Sequence, residues 1–235
     1  MTNRIISLIA EWWVIRLKEE KGRSSFIASA RRDQMMDAAI QTLDEIGFIK
    51  ASLSQIAKRA GISTALISYH FSSKEDLMNH VLMKLMADST TAIVEQIEKV
   101  KGPKEKLDTF IKASLMYQAI HPSRNTALLE IVFNARTPEN IPYYKMEDDE
   151  EEQLTNELQQ ILYDGQKEGV FAPFSVEVMT SVIQGAIGEF MLSNSRIARE
   201  VDVDTYIKEL TTILHRTVLK DKDKGEALGG VNENG

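Results

Sequence analysis

No cysteine occurs anywhere in the 235 residues. That absence excludes a disulfide framework, a thiolate metal site and a cysteine nucleophile, and it suits a reducing cytoplasm. No uninterrupted apolar run approaches the roughly 20 residues that a membrane-spanning helix needs. Strand-like alternation is scarce, and the 5 prolines fall mainly at the edges of apolar-periodic stretches. Catalytic signatures are missing too. The four histidines, His70, His80, His121 and His215, are dispersed without an H-E-x-x-H pair, and there is no nucleophile elbow, phosphate-binding glycine loop or dinucleotide fingerprint. The expectation is an all-α protein that is not an enzyme and carries no cofactor and no metal.

Positive charge is also short overall, with a formal net charge of -7. Its distribution matters more than its sum. Residues 1 to 75 hold 11 Lys/Arg against 8 Asp/Glu, a balance of +3, and the remainder holds 17 against 27, a balance of -10. A mildly basic head on an acidic body is compatible with nucleic-acid binding, because the acidic part need not touch the polyanion.

What is present concentrates in GFIKASLSQIAKRAGISTALISYHFSSKEDL, residues 47 to 77. Ser52 and Gln55 form a capping-box pair, and Leu53, Ile56, Ala57 and Ala60 follow on one helical face. Gly61 can leave the helix through a left-handed conformation. Ile62 plugs the corner, and Ser63 caps a short second helix from about Thr64 to His70, held down by Leu66 and Ile67. Thr64, Ala65, Ser68, Tyr69 and His70 are left to face outward. Ser72-Ser73-Lys74-Glu75 reads as another capping box, starting a third helix. Two short helices at a tight turn are the means of placing one helix in the major groove of DNA. Thr and Ser hydroxyls reach base edges or phosphates and a small Ala admits close approach. Tyr69, His70 and Lys74 suit phosphate oxygens, which position without reading sequence. A helical hairpin whose polar face meets only water is the alternative.

This stretch resembles the tetracycline-repressor (TetR) family. Gly47, Phe48, Ser52, Ile56, Ala57, Ala60, Gly61, Ile62, Ser63, His70, Phe71, Ser73, Lys74 and Leu77 stand where the family pattern expects them, and RRDQMMDAAIQTLDEIGF looks like its first helix. The run STALISYHF is most similar to the subgroup containing the choline-responsive betaine-pathway repressor. Two positions depart: Ser68 replaces a common Tyr and Ala65 a common Gly. The resemblance implies that Ser52 caps the second helix and meets a phosphate. Ser54, Thr64, Ala65 and Ser68 would face the groove, while Tyr69, His70 and Lys74 would hold the backbone. Tyr69 can supply the phosphate contact that Ser68 lacks. The implied protein is a homodimeric regulator that binds a palindromic double-stranded operator and is released by a small-molecule effector. A transcriptional activator of the same fold, or a helical interaction protein with a vestigial helix-turn-helix, are the alternatives.

The expected organisation is an extension over 1–30, helical or flexible, a helix-turn-helix domain over 31–78, a helical ligand-binding and dimerisation domain over 79–219, and a disordered tail over 220–235. In the extension, Ile5, Leu8, Ile9 and Trp12 fall at helical spacing beside Trp13. Glu11 and Arg16 interrupt that run too early for a secretory signal. An interfacial amphipathic helix, a helix docked on its own dimer and an unstructured arm are the readings that stand. Lys21, Arg23, Arg31 and Arg32 could touch phosphate or the minor groove, or solvate a linker.

Beyond residue 78 the pattern predicts helices from Lys74 to about Val100, after Gly102-Pro103, from Ser123 to Arg136, from Glu147 to Glu168, from Ser175 to Ser195, and from Asp202 to Leu219. Gly185, Ala186 and Gly188 lie inside one of these, where each glycine costs about 1 kcal/mol relative to alanine. Family resemblance places a dimer interface there and on the last helix, through Gly185, Gly188, Tyr206, Leu210 and Leu214; close packing within one subunit is the alternative. The resemblance also implies a ligand cavity among the aromatic residues of the middle helices. Phe110, Met116, Tyr117, Phe133 and Tyr163, with Glu130 and Glu189 as acids, would form a cage for a cation, and plain core packing is the alternative. The acidic run Glu147 to Glu152 reads as a solvated helix start, and Asp76 with His80 as a surface pair.

Overall fold

The computed structural model describes residues 23–137, 139–145, 153–191 and 196–220. The tryptophan-bearing segment up to residue 22, the acidic run at 147–152 and the tail from 221 lie outside these, and so do the expectations placed on them. The described chain is helical: α1 Arg23–Lys50, α2 Leu53–Ala60, α3 Thr64–His70, α4 Lys74–Ile97, α5 Pro103–Ile120, α6 Pro122–Asn134, α7 Gln153–Lys167, α8 Val176–Met191, α9 Arg196–Glu200 and α10 Val203–Val218. Two isolated β-bridges, Arg136 with Pro142 and Phe171 with Leu219, are the extended pairings among the described residues. No helix there is long and apolar enough to cross a membrane.

The helix limits follow from local chemistry. Gly102 adopts φ 80 and Pro103 opens α5, where a proline loses no intrahelical hydrogen bond. His121 separates α5 from α6, which again begins on a proline, Pro122. Asp202 caps α10 by accepting the Thr205 N–H at 2.9 Å. Relative to the sequence pattern, α4 stops at Ile97 and α6 at Asn134, and the short α9 is an addition. Helix α1 is already formed at Arg23, so residues 23–30 belong to it.

The chain forms two compact units: residues up to Ala87 together with Ser123–Glu151, and Asp88–Pro122 together with residues from Glu152. This division differs from the sequence boundaries, because it groups α6 with the N-terminal head. The reason is burial. Met35, Leu43, Ile56, Ile67 and Leu77 form one apolar cluster, and Ala127 and Ile131 of α6 are fully buried in it. Each such aliphatic side chain stabilises by about 1.5–3 kcal/mol when removed from water.

In the second unit Leu107, Ile111 and Leu115 of α5 meet Leu158 and Leu162 of α7, Ile183 of α8, and Leu214 and Val218 of α10 in a separate cluster. The segment after α7 runs back beside the end of α10, with the Ala172 N–H donating to the Val218 carbonyl at 2.7 Å. Its Phe171 ring lies against Gly165, where a Cβ would come within 2.0 Å of the ring.

Candidate nucleic-acid interface

Helix α2 begins at Ser52, in extended conformation, whose hydroxyl accepts the Gln55 N–H at 3.3 Å and donates to Gln55 Oε1 at 2.9 Å. Half of the expected capping box therefore forms, the side-chain to backbone half. At the other end Gly61 takes φ 67, ψ 31, and the Ile62 N–H returns to the Ala57 carbonyl at 3.0 Å. That closes the orphan carbonyls of the last turn in the glycine-dependent way. Ser63 then accepts the Leu66 N–H at 3.2 Å and starts α3. The corner is tied to α1 by Gln34, whose Nε2 donates to the Ala60 carbonyl at 2.8 Å.

Helix α3 has two unlike faces. Ile67 is fully buried and Leu66 packs on the same cluster. Thr64, Ala65, Ser68 and Tyr69 are exposed, as is Ser54 on α2. Tyr69 stands furthest out, at 82% exposure, and its ring meets His70 edge-on at 5.1 Å. A phenol presented this way carries a hydrogen-bonding tip clear of the protein surface, which suits a phosphate oxygen.

Lys74 is engaged within the protein. Its ammonium donates to the Phe48 carbonyl and sits 4.2 Å from the Phe48 ring centroid. Burial lowers its pKa, with the negative charge of Glu75 acting the other way. Lys74 therefore ties α4 to the end of α1. The third capping motif is shifted by one residue from the sequence reading. Ser73 accepts the Asp76 N–H at 3.1 Å, and Asp76 accepts from Ser72 through both the N–H, at 2.7 Å, and the hydroxyl, at 2.9 Å.

Residues 35–81 match the bacterial regulatory proteins of the tetR family. Over that stretch the chain is similar to the tetR family. The HTH-type transcriptional regulator BetI of Agrobacterium fabrum is 30% identical over 109 residues, covering 46% of this chain and 53% of that protein. BetI 1 of Chromohalobacter salexigens is 32% identical over 82 residues, covering 34% and 41%. The chain thus spans about half the length of these relatives or less, and the likeness to BetI is one of the DNA-binding half. Among solved structures, the fatty acid degradation regulator FadR from Bacillus halodurans superimposes with TM-score 0.66 at 22% identity, covering 83% of this chain and 96% of that one. The ketosteroid regulator KstR2 of Mycobacterium tuberculosis does so with TM-score 0.64 at 19% identity, covering 81% and 96%. At those identities the likeness is one of fold.

The residues expected around a ligand divide between the two units. Glu130 and Phe133 belong to the first unit, and Phe110, Met116, Tyr117, Tyr163 and Glu189 to the second. Glu130 is already engaged, since its Oε2 accepts the Phe48 N–H at 2.7 Å. Phe133 is exposed beside Tyr144, with ring centroids 5.9 Å apart. Phe110 is core. Tyr163 is half exposed and donates to Glu177 at 2.8 Å, and Glu189 is exposed. Met116 and Tyr117 are half-buried on α5.

The expected interface residues also divide. Gly185 is exposed, and a Cβ on Gly185 or Gly188 would meet nothing within 4 Å. These glycines are thus not needed for packing within the subunit. Leu210 and Leu214 are buried in their own core and cannot form an outer face. Tyr206 is half-buried, donates to the Ala186 carbonyl at 2.7 Å and meets the Phe190 ring at 5.1 Å. The apolar residues left outside on these helices are Val178 and Val182 of α8 and Ile213 of α10, which sequence periodicity alone did not separate from the core.

Proposed function

We propose that this protein is a ligand-responsive transcriptional regulator, a repressor that binds a palindromic operator as a homodimer. The observation that carries the reading is α3: a seven-residue helix capped at both ends and fixed by Ile67, with Thr64, Ala65, Ser68 and Tyr69 left exposed. A buried anchor with small hydroxyl and methyl groups opposite suits base edges in the major groove. Ser52 and Ser54 stand at the start of the neighbouring helix, where backbone N–H groups favour phosphate. BetI, FadR and KstR2 are named regulators, which supports the same conclusion.

Two copies are needed because one short helix reads only a few base pairs. The exposed apolar residues Val178 and Val182 of α8 and Ile213 of α10, with Gly185 of α8 in open space, offer these two helices as a surface for a second copy. For the effector, the buried polar side chains described in the second unit are Ser114, Gln118 and Thr180, none of them charged. If a small-molecule effector reaches these groups, they can hydrogen-bond its polar atoms. Such a ligand represses DNA binding only if it prefers the state that cannot bind.

Selection of bound duplexes from random-sequence DNA tests the reading. The expected product is an inverted repeat with half-site centres about one helical turn, or a multiple, apart. Recovery of unselected sequence after several rounds would remove the proposal.

A further inference from the structure

Phe48 follows a break in α1, and both polar groups of its main chain are held by side chains from other helices. Its N–H donates to Glu130 Oε2 of α6 at 2.7 Å, across 82 residues of sequence. Its carbonyl accepts from Lys74 Nζ at the start of α4. Asn134, one turn along α6, donates to the Glu130 carbonyl at 3.0 Å and to Glu130 Oε2 at 3.3 Å, which fixes the carboxylate's direction. The Phe48 ring is buried beneath the Lys74 ammonium. Four residues further on stands Ser52, the cap of α2.

The break that creates this arrangement is Gly47, with φ 74 and ψ 168. That region is essentially closed to residues with a Cβ. A Cβ at Gly47 would also lie 3.2 Å from Glu130 Oε2, so the glycine both turns the chain and admits the carboxylate. A charged acceptor on a backbone N–H is among the stronger hydrogen bonds available. A second contact between the helices, Ser123 Oγ to Asp44 Oδ2 at 2.7 Å, is exposed. Helix α6 is joined through His121 alone to α5, which belongs to the other unit.

We propose that Glu130 is a positioning residue for DNA recognition. By holding the Phe48 peptide it sets the start of α2 and with it the placement of the reading helices. The inference rests on the DNA-binding function proposed above.

The test compares full-length wild type, Glu130→Gln and Glu130→Ala by amide hydrogen exchange and by affinity for a duplex recovered in the selection above, both well below the unfolding temperature. In Glu130→Ala the Phe48 amide should exchange about ten- to a hundredfold faster, with the second unit unchanged. Glu130→Gln keeps an acceptor without the charge and should fall between. Duplex affinity should decline in the same order, by about fivefold or more for the alanine variant. Unchanged exchange at Phe48 overturns the proposal, as does faster exchange spread evenly over the first unit, which would mean general loosening. Equal duplex affinity in all three proteins overturns the link to recognition even where exchange changes. A wild type that prefers no duplex defeats the DNA-binding function itself, and the exchange result then still decides whether Glu130 holds Phe48.

Discussion

Asp76 and His80 stand one turn apart at the start of α4, with His80 Nδ1 3.3 Å from Asp76 Oδ1 and 2.8 Å from the Asp76 carbonyl. The same carboxylate holds Ser72, just past α3, and the His80 ring meets Phe71 at 5.3 Å. The hydrogen bond with His80 brings the Asp76 pKa down to about 2, and burial opposes it. The bond with Asp76 raises the His80 pKa, opposed by burial and by the charge of Arg32. The stability that His80 adds is full below its ordinary value of 6.5 and is lost as pH rises through the raised folded value. What Asp76 adds is full above 3.8 and is lost as pH falls toward about 2. Urea unfolding of the head should therefore show greatest stability between about pH 4 and 6.5. Asp76→Asn should flatten both flanks and cost roughly 1–2 kcal/mol near pH 6, allowing for screening at this partly exposed site.

Gly47→Ala should destabilise the protein by about 1–3 kcal/mol, because alanine is strained at this φ and ψ and its Cβ crowds Glu130. Gly165→Ala should cost at least as much, since Phe171 must move. Alanine at Gly185 meets nothing and should stabilise the helix by about 0.5–1 kcal/mol within one subunit. Chemical unfolding of the three variants checks the order.

Val182→Asp and Ile213→Asp place a charge on exposed apolar positions. Both should leave the folded subunit intact and shift sedimentation at micromolar concentration from dimer to monomer. Leu214→Ala, in the core, should instead lower stability by about 2–5 kcal/mol. Dimers of unchanged affinity in both aspartate variants would place the interface elsewhere.

Removing the hydroxyls that cap α2 and α3, in Ser52→Ala and Ser63→Ala, should cost about 1 kcal/mol apiece. Thermal unfolding reads this directly.

Much of the head is legible in the sequence because its signals are local. Ser52, Gly61 and Ser63 act on neighbours within a few residues, and each does what its type and position dictate. The shift of the third cap from Ser72 to Ser73 shows the limit of that reasoning, since adjacent serines and acids offer two registers and the fold selects one. The sequence offers Glu130 as an acid for a ligand, and its bond to the Phe48 N–H is not legible there. On its own helix it is an acid among apolar residues, and only the packing of α6 on α1 shows its partner to be the Phe48 amide. The glycines teach the same lesson in reverse. Gly185 and Gly188 attract attention within a good helix yet face open space, while Gly165 is the glycine that a neighbouring ring requires. Periodicity marks Leu210, Leu214 and Ile213 alike as apolar, and says nothing of which face meets the subunit's own core.

The measurement that bears most directly on the central claim is fluorescence anisotropy of the full chain, at about 150 mM salt because phosphate contacts are salt-dependent. The selected duplex and a scrambled one are compared for wild type, Thr64→Ala and Tyr69→Ala. If α3 reads DNA, wild type prefers the selected duplex, Tyr69→Ala weakens binding to both duplexes alike, and Thr64→Ala narrows the gap between them. Equal affinity of all three proteins for both duplexes would contradict the assignment of α3 as the recognition helix.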